Sequence, residues 1–283
     1  MSDFTELTDA SSFAEWTADD AATAIAIPGP HDDKYSRGVL GVVTGSALYP
    51  GAAVLGVEAA LRTGVGMVRY LGPSAAAGLV LQRRPEAVTA PGRVQAWLLG
   101  SGVDAVDRDS ETIESWRAAM AEGLPTVLDG GALDCHEMAS APVIITPHFR
   151  ELGRVIGASA ADIAADPARW ARTAADDLGV TVLLKGNTTY VAGPGISLFA
   201  QTAPTWLATA GAGDALAGIL GALVATHVAA VAADPAALAR LGATAAVLHG
   251  LAAHRAGAGG PFTILDLAAA IPATIAALLE GPV

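Results

Sequence analysis

Thr209–Thr226 reads TAGAGDALAGILGALVAT: a glycine-rich turn, one carboxylate, then an apolar run. Asp214 is the cap of a helix, the rim of a membrane span, or a catalytic base beside a phosphate site. The uncharged stretch Ala215–Ala233 approaches the length that crosses a bilayer. It is mostly Ala and Gly, contains His227 and has no basic flank, whereas the loops beside membrane spans carry an excess of Lys and Arg on one side. A buried core helix is therefore the expectation. The N-terminus of such a helix exposes unpaired N–H groups and the positive end of the macrodipole, which suits an anion. Gly211 and Gly213 let the backbone approach that anion with no Cβ in the way, and Asp214 falls in the first turn. A plain N-terminal acid stabilises a helix by roughly 0.5–1 kcal/mol. That accounts for Asp214 but not for the two glycines before it. The stretch lacks the Lys-Ser/Thr pair of a P-loop, and no GxGxxG follows the first strand, so a different way of holding phosphate is expected.

Upstream, short apolar runs alternate with helical patterns. The expected strands are Val39–Gly45, Val65–Leu71, Ala96–Gly102, the run PTVLDGG, Ala141–His148 and the run TVLLKG. KGNTTYVAGPG then forms a hairpin leading to a short strand, ISLFA. Helices are expected over Pro50–Gly64, with proline near the start and glycine at the end, through ETIESWRAAMAEG, from about Arg150, and through DPARWARTAADDLG. The last third reads as helix over Gly213–Thr226, Pro235–His254 and Leu265–Leu279. Buried strands alternating with helices imply a parallel sheet covered on both faces. Right-handed crossovers make it a doubly wound, three-layer α/β/α sandwich. Residues 1–33, ending in IPGPHDD, read as a leader packed on a main domain of residues 34–283.

Composition narrows the function. The 283 residues are 52% hydrophobic and carry a net charge of −12, which supplies no basic patch for a nucleic acid. A lone cysteine, Cys135, excludes internal disulfides and a cysteine zinc cluster. The acidic start MSDFTELTDA is unlike a signal peptide, so the cytoplasm is the default address. Of the 16 basic side chains only Lys34 and Lys185 are lysines.

Open parallel sheets bind ligands beyond the carboxyl ends of their strands. The residues leaving the strands here are Gly45-Ser46, Gly100-Ser101-Gly102, Asp129-Gly130-Gly131, Thr146-Pro147-His148 and Lys185-Gly186. Turns favour such residues in any case, but five exits of this kind along one edge suggest a small-molecule site lined by backbone. An aspartate beside an anion hole can take a proton from a hydroxyl while N–H groups stabilise a transferring phosphoryl group. Lys185 is placed to meet a phosphate and His148 to donate to a substrate. His227, His249 and His254 fall on helices and are given no role.

These stretches, in order, resemble the ADP-dependent NAD(P)H-hydrate dehydratases of the ribokinase-like superfamily. KYSRGVLGVVTGS is similar to that family's opening strand and Gly-Ser exit, and YPGAAVLGVEAALRTGVGMV to its Gly-Ala helix and Ala-x-Arg-x-Gly-x-Gly. LLGSGVD stands for its Gly-Pro-Gly-x-Gly turn, and ITPHFRELGRV for its Thr-Pro-His-x-x-Glu segment. LLKGNTTYVAG is similar to its Lys-Gly-x-x-Thr hairpin, and ATAGAGDALAGILGAL to its Gly-x-Gly-Asp helix start. The chain departs from the pattern at Ser101, where proline is usual, at Asp104, where a glycine would fall, at Gly131, where an acid is common, and in TAPTW.

The resemblance implies repair of NADH or NADPH that has gained water (NADHX, NADPHX), specifically the S-epimer, with ADP as phosphoryl donor and AMP and phosphate as products. It implies Asp214 as base, with backbone N–H groups of Gly211, Ala212 and Gly213 around the developing charge. Ala52, Gly102, His148 and Asp214 are expected at the hydrated dinucleotide, and Lys185, Gly186, Asn187, Thr188, Thr189 and Gly213 at the adenine nucleotide. Mg²⁺ is expected on the phosphates, although no carboxylate cluster announces a metal site. A homotetramer is implied by resemblance alone. The rival readings are a ribokinase-like kinase for a small vitamin or sugar hydroxyl, and a nucleotide sensor without turnover.

Overall fold

The computed structural model of the chain describes residues 13–106 and 108–281. Its strands are β1 (Ala14–Glu15), β2 (Val39–Val43), β3 (Met67–Tyr70), β4 (Ala96–Leu99), β5 (Thr126–Leu128), β6 (Val143–Ile145), β7 (Thr181–Leu184), β8 (Thr189–Gly193) and β9 (Ile196–Ala200). They form one sheet in the order β1-β9-β8-β7-β6-β5-β4-β2-β3. All run in one direction except β8, which is antiparallel to β7 and β9. The helices are α1 (Ala18–Thr23), α2 (Pro50–Thr63), α3 (Ser74–Arg83), α4 (Ser110–Ala121), α5 (Phe149–Ile156), α6 (Ala160–Ala165), α7 (Pro167–Leu178), α8 (Ala212–Thr226), α9 (Val228–Ala233), α10 (Ala237–Gly257) and α11 (Ile264–Glu280).

Successive strand residues point to opposite faces, and the two halves of the core follow that alternation. Leu40, Val42, Val68, Leu98, Ile144 and Leu183 belong to the core under α2, α8, α10 and α11. Val39, Val43, Met67, Leu99, Ile145 and Val182 belong to the other, with Trp116 and Met120 of α4, Leu152 of α5 and Ala171 of α7. The expected doubly wound α/β/α sandwich is what forms.

The stretch that opened the reading is a core helix. Every residue of α8 from Ala215 to Ala225 is buried, and no helix among the described residues is long and apolar enough to cross a membrane. Glycine explains how tightly α8 is held: a Cβ on Gly218 would run into the carbonyl of Gly56 on α2. The close approach fixes where the N-terminus of α8 emerges.

Three departures from the sequence reading have physical reasons. Residues 1–12 of the expected leader lie outside the described residues. Ala14 and Glu15, however, pair in parallel with Leu198 and Phe199 as an edge strand. Trp16 Nε1 donates to Thr244 Oγ1 of α10 at 2.9 Å, which anchors the segment, and Thr17 and Asp20 close a capping box on α1. A two-residue strand has no periodicity to read. Second, α3 and α6 went unnoticed because their Ala-rich sequences carry little contrast between faces. Third, the helix expected over Pro235–His254 begins at Ala237, and a separate short helix, α9, precedes it.

The winding reverses between β2 and β4: β2 pairs with β3 on one side and with β4 on the other. Such a switch point opens a crevice at the carboxyl edge. Because β8 runs backwards, its first residue, Thr189, lies at that same edge beside the exit of β7.

Candidate active site

Each exit residue is held by its own backbone. Gly45 N–H donates to Ser101 O at 2.7 Å, joining the ends of β2 and β4. Lys185 N–H donates to Pro147 O at 2.8 Å, extending the β6–β7 pairing to His148. His148 caps α5: its Nδ1 accepts from Glu151 N–H at 3.1 Å, while Glu151 Oε2 accepts from His148 N–H at 2.8 Å. This capping box has histidine in the Ser/Thr place. Since Nδ1 accepts, the proton of the neutral ring is on Nε2, which is thereby a donor.

Beneath the edge is an ion pair that the sequence reading did not foresee. Lys185 Nζ lies 2.8 Å from Asp129 Oδ1 and 3.6 Å from Glu151 Oε2. Asp129 is 4% exposed. It also accepts from Thr146 Oγ1 at 2.7 Å and from Ser101 Oγ at 2.8 Å. Ser101, a departure from the family pattern, is thus a ligand of the buried carboxylate. Burial works against both charges, but the two groups more than compensate each other: Asp129 is held below the usual carboxylate range and Lys185 above the usual lysine range.

The N-terminus of α8 stands opposite. Gly211 is its N-cap, at φ +89°, a left-handed conformation open to glycine. The cap residue makes no side-chain hydrogen bond, and the Asp214 carboxylate is not a cap. Ala212 N–H turns back to Thr209 O at 3.3 Å, while among the described residues the N–H groups of Gly213 and Asp214 bond to no backbone oxygen. The donors left for an anion are therefore centred on Gly213, and Ala212, expected among them, is engaged. Lys185 stands beside this turn, its Nζ 3.4 Å from where a Cβ on Gly213 would sit.

Two cavities meet here. One, of about 340 Å³, is lined by Tyr49, Gly102, Asp129, Glu151, Lys185 and Asp214, with Gly211 and Gly213 at its wall. The other, of about 730 Å³, is bounded by His148, Lys185, Gly186, Asn187, Thr189 and His249, with Ala212 and Gly213 at the shared end. Of the residues expected at the dinucleotide, Gly102 and Asp214 line the first cavity. Ala52 is buried directly under Gly102, and His148 lies on the second cavity. Of those expected at the adenine nucleotide, all but Thr188 line the second; Thr188 lies in the turn behind Gly186.

Asp214 is half-buried, and its carboxyl is pushed up to about 7. Burial contributes most, then the negative charge of Asp129; Lys185 acts in the opposite direction and Glu151 in the same. A carboxyl tuned to neutrality is suited to take up a proton at working pH.

Asp129, Glu151, Arg154 and His249 were missed as site residues. Asp129 had a signal as a strand exit and Glu151 as the third residue after a helix cap. Arg154, one turn further along α5, lines the first cavity. His249 gave no signal beyond its place on a helix.

A family model described as NAD(P)H-hydrate dehydratase matches residues 40–271. The bifunctional NAD(P)H-hydrate repair enzyme Nnr of Mycobacterium tuberculosis is 42% identical over 222 residues, covering 74% of this chain and 45% of that protein. The chain thus spans about half the length of that relative. The ADP-dependent (S)-NAD(P)H-hydrate dehydratase of Xanthomonas campestris is 30% identical over 71% of this chain and 76% of its own length. In fold, the crystal structure of ADP/ATP-dependent NAD(P)H-hydrate dehydratase from Bacillus subtilis, co-crystallised with ATP/Mg²⁺, superposes with a TM-score of 0.81 at 24% identity, covering 93% of this chain and 98% of that one. Six motifs in order, a family model over most of the chain and a matching sheet converge: the chain belongs to the NAD(P)H-hydrate dehydratase family.

Proposed function

We propose that this protein converts the S-epimer of hydrated NADH or NADPH to NADH or NADPH, consuming ADP and releasing AMP and phosphate. The observation that carries the reading is Asp214. It is a carboxylate tuned to about 7, in the first turn of an uncapped helix, where a polar and an apolar cavity meet. The polar cavity takes the hydrated nicotinamide and the apolar one the adenosine, which leaves the phosphates beside Lys185 and Gly213.

In this arrangement Asp214 accepts the proton of the C6 hydroxyl as its oxygen attacks the β-phosphorus of ADP. The bond from that phosphorus to the bridging oxygen breaks, and AMP departs with the electron pair. Free N–H groups of Gly213 and Asp214 and the ammonium of Lys185 face the charge on the transferring group. The ring nitrogen's lone pair then expels phosphate from C6, and loss of a C5 proton restores the C5–C6 double bond.

Mg²⁺ takes near-octahedral oxygen ligands, commonly phosphates and waters with one or two carboxylates. Among the described residues no three His, Cys, Asp or Glu side chains are grouped to hold a metal, and Asp129 is saturated by Lys185, Thr146 and Ser101. This fits an ion that arrives on the nucleotide, with Glu151 the carboxylate available to it; its chemistry would be to neutralise phosphate charge. The same reading carries a cytoplasmic address and a homotetramer.

The test is to incubate the protein with hydrated NADH and ADP, following the return of NADH absorbance and the release of AMP. Nucleotide consumption only with a vitamin or sugar alcohol, yielding a stable phosphate ester, would make the protein a kinase instead.

A further inference from the structure

Arg154 lies one turn beyond Glu151 on α5 and is exposed. It lines the first cavity and a cleft of about 70 Å³ that adjoins it, with Ala105, Gly130 and Glu151 on both walls. Long side chains on a helix lean toward its N-terminus, so from this position the side chain is carried back toward the site. The carboxylates that share these walls, apart from the base Asp214, have other partners. Glu151 Oε2 accepts from His148 N–H at 2.8 Å and lies 3.6 Å from Lys185 Nζ. Asp134 receives two nitrogens of Arg108, with Nη2 at 2.6 Å. Asp104 accepts from Val106 N–H at 3.0 Å, and Asp129 holds Lys185. Arg154 is thus the one cation of the first cavity without an ion-pair partner among the described residues.

A basic residue in the last turn complements the negative end of a helix, but that does not account for its place on the cavity wall. The hydrated dinucleotide carries a diphosphate bridge one ribose away from the ring that reacts. At about 340 Å³ the first cavity is at the small end of ligand sites, enough for the nicotinamide half at Asp214. The bridge then follows the ribose outward along the wall. We propose that Arg154 binds the diphosphate bridge of the hydrated dinucleotide, through paired hydrogen bonds from its guanidinium fork. The planar fork matches two phosphate oxygens at once. Its charge also offsets the negative field of a chain with net charge −12, which opposes the entry of an anionic substrate. The inference rests on the dehydratase reading above. It adds the cation that receives the substrate's own phosphates, separate from those of ADP at Lys185 and Gly213. Arg154 is a binding residue, placed away from the reacting atoms.

Turnover is measured with hydrated NADH varied and with ADP varied, on the wild type, Arg154→Gln and Arg154→Lys, at low and high KCl. Loss of hydrogen bonds to a charged group should raise the KM for hydrated NADH about ten-fold or more in Arg154→Gln. The KM for ADP and kcat should change far less. Arg154→Lys keeps the charge without the fork and should recover part of the loss. KCl should raise the wild-type KM for hydrated NADH more than that of Arg154→Gln, because the attraction that salt screens is missing from the variant. No turnover of hydrated NADH by the wild type would remove the dehydratase reading and this inference with it. Wild-type turnover, with the same KM for hydrated NADH in Arg154→Gln, would overturn the inference alone. So would a rise confined to the KM for ADP, which would put the arginine on the phosphoryl donor. A rise in both KM values, equal in the Gln and Lys variants, would also overturn it, because that pattern marks a structural role.

Discussion

Lys185 Nζ lies 2.8 Å from Asp129 Oδ1, joining the exits of β7 and β5 across the intervening strand β6. The pair is the charged floor of the site. Removing one partner from a buried ion pair leaves the other uncompensated, at about 3–5 kcal/mol. Lys185→Met should lose about that much stability in urea unfolding at neutral pH. Lys185→Met combined with Asp129→Asn should lose less than the two single changes added together, because the double variant leaves no lone charge. Strict additivity would show that the two groups are not coupled.

Asp214→Asn tests the base. General-base catalysis contributes about 10²–10⁴-fold, so kcat should fall at least 10²-fold. ADP affinity should change little, since the N–H groups of the α8 turn are untouched. Near-normal turnover would remove Asp214 from that role.

The raised pKa of Asp214 also sets a pH profile. The base works deprotonated, so kcat/KM should rise with pH up to about 7 and level off above it. Lys185 is the neighbour that favours the charged form, so Lys185→Met should move the acid limb toward alkaline pH; Glu151→Gln should move it toward acid. Stability follows the same group. The folded state holds this proton more firmly than the unfolded chain, whose carboxyl has the ordinary aspartate value of 3.8. Wild-type stability from this group therefore falls as pH rises from about 4 through about 7. Asp214→Asn should melt higher than wild type at pH 8, with the difference shrinking below pH 4.

How much of this was visible in the sequence depended on the range of the signal. The α8 turn is local, so Gly211, Gly213 and Asp214 could be read from a few residues, as could the parallel sheet from its apolar runs. What local reading misassigned was hydrogen-bond use: it expected Ala212 as a donor to the anion, and the turn back to Thr209 engages that N–H instead. The Asp129–Lys185 pair spans strands far apart in the chain, and its existence follows only from strand order. Ser101 looked like a departure from a pattern until Asp129 was found beside it. His249 sits on an Ala-rich helix that is buried along most of its length, where a histidine is indistinguishable from core by sequence spacing.

Outside the site, Glu58 governs acid stability. It is fully buried on α2 and is ringed by Arg84, Arg62 and Arg83, with Arg62 Nε at 2.7 Å and Arg83 Nε at 3.2 Å. Burial opposes its charge, but the three guanidinium groups outweigh that and hold the carboxyl down at about 2. The folded state thus binds this proton less firmly than the unfolded chain, whose carboxyl has the ordinary glutamate value of 4.5. The stabilisation is complete above about pH 4.5 and is lost as pH falls toward 2. Since Arg83 and Arg84 belong to the α3 end and its cap, the loss falls on the α2–α3 packing. Glu58→Gln should destabilise the protein by about 1.5–3 kcal/mol at neutral pH, the usual worth of hydrogen bonds to a charged group. Its urea midpoint should then converge on that of the wild type as pH is lowered from 5 toward 2. A constant gap between the two across that range would mean that packing of the side chain, not its charge, is what the arginines require.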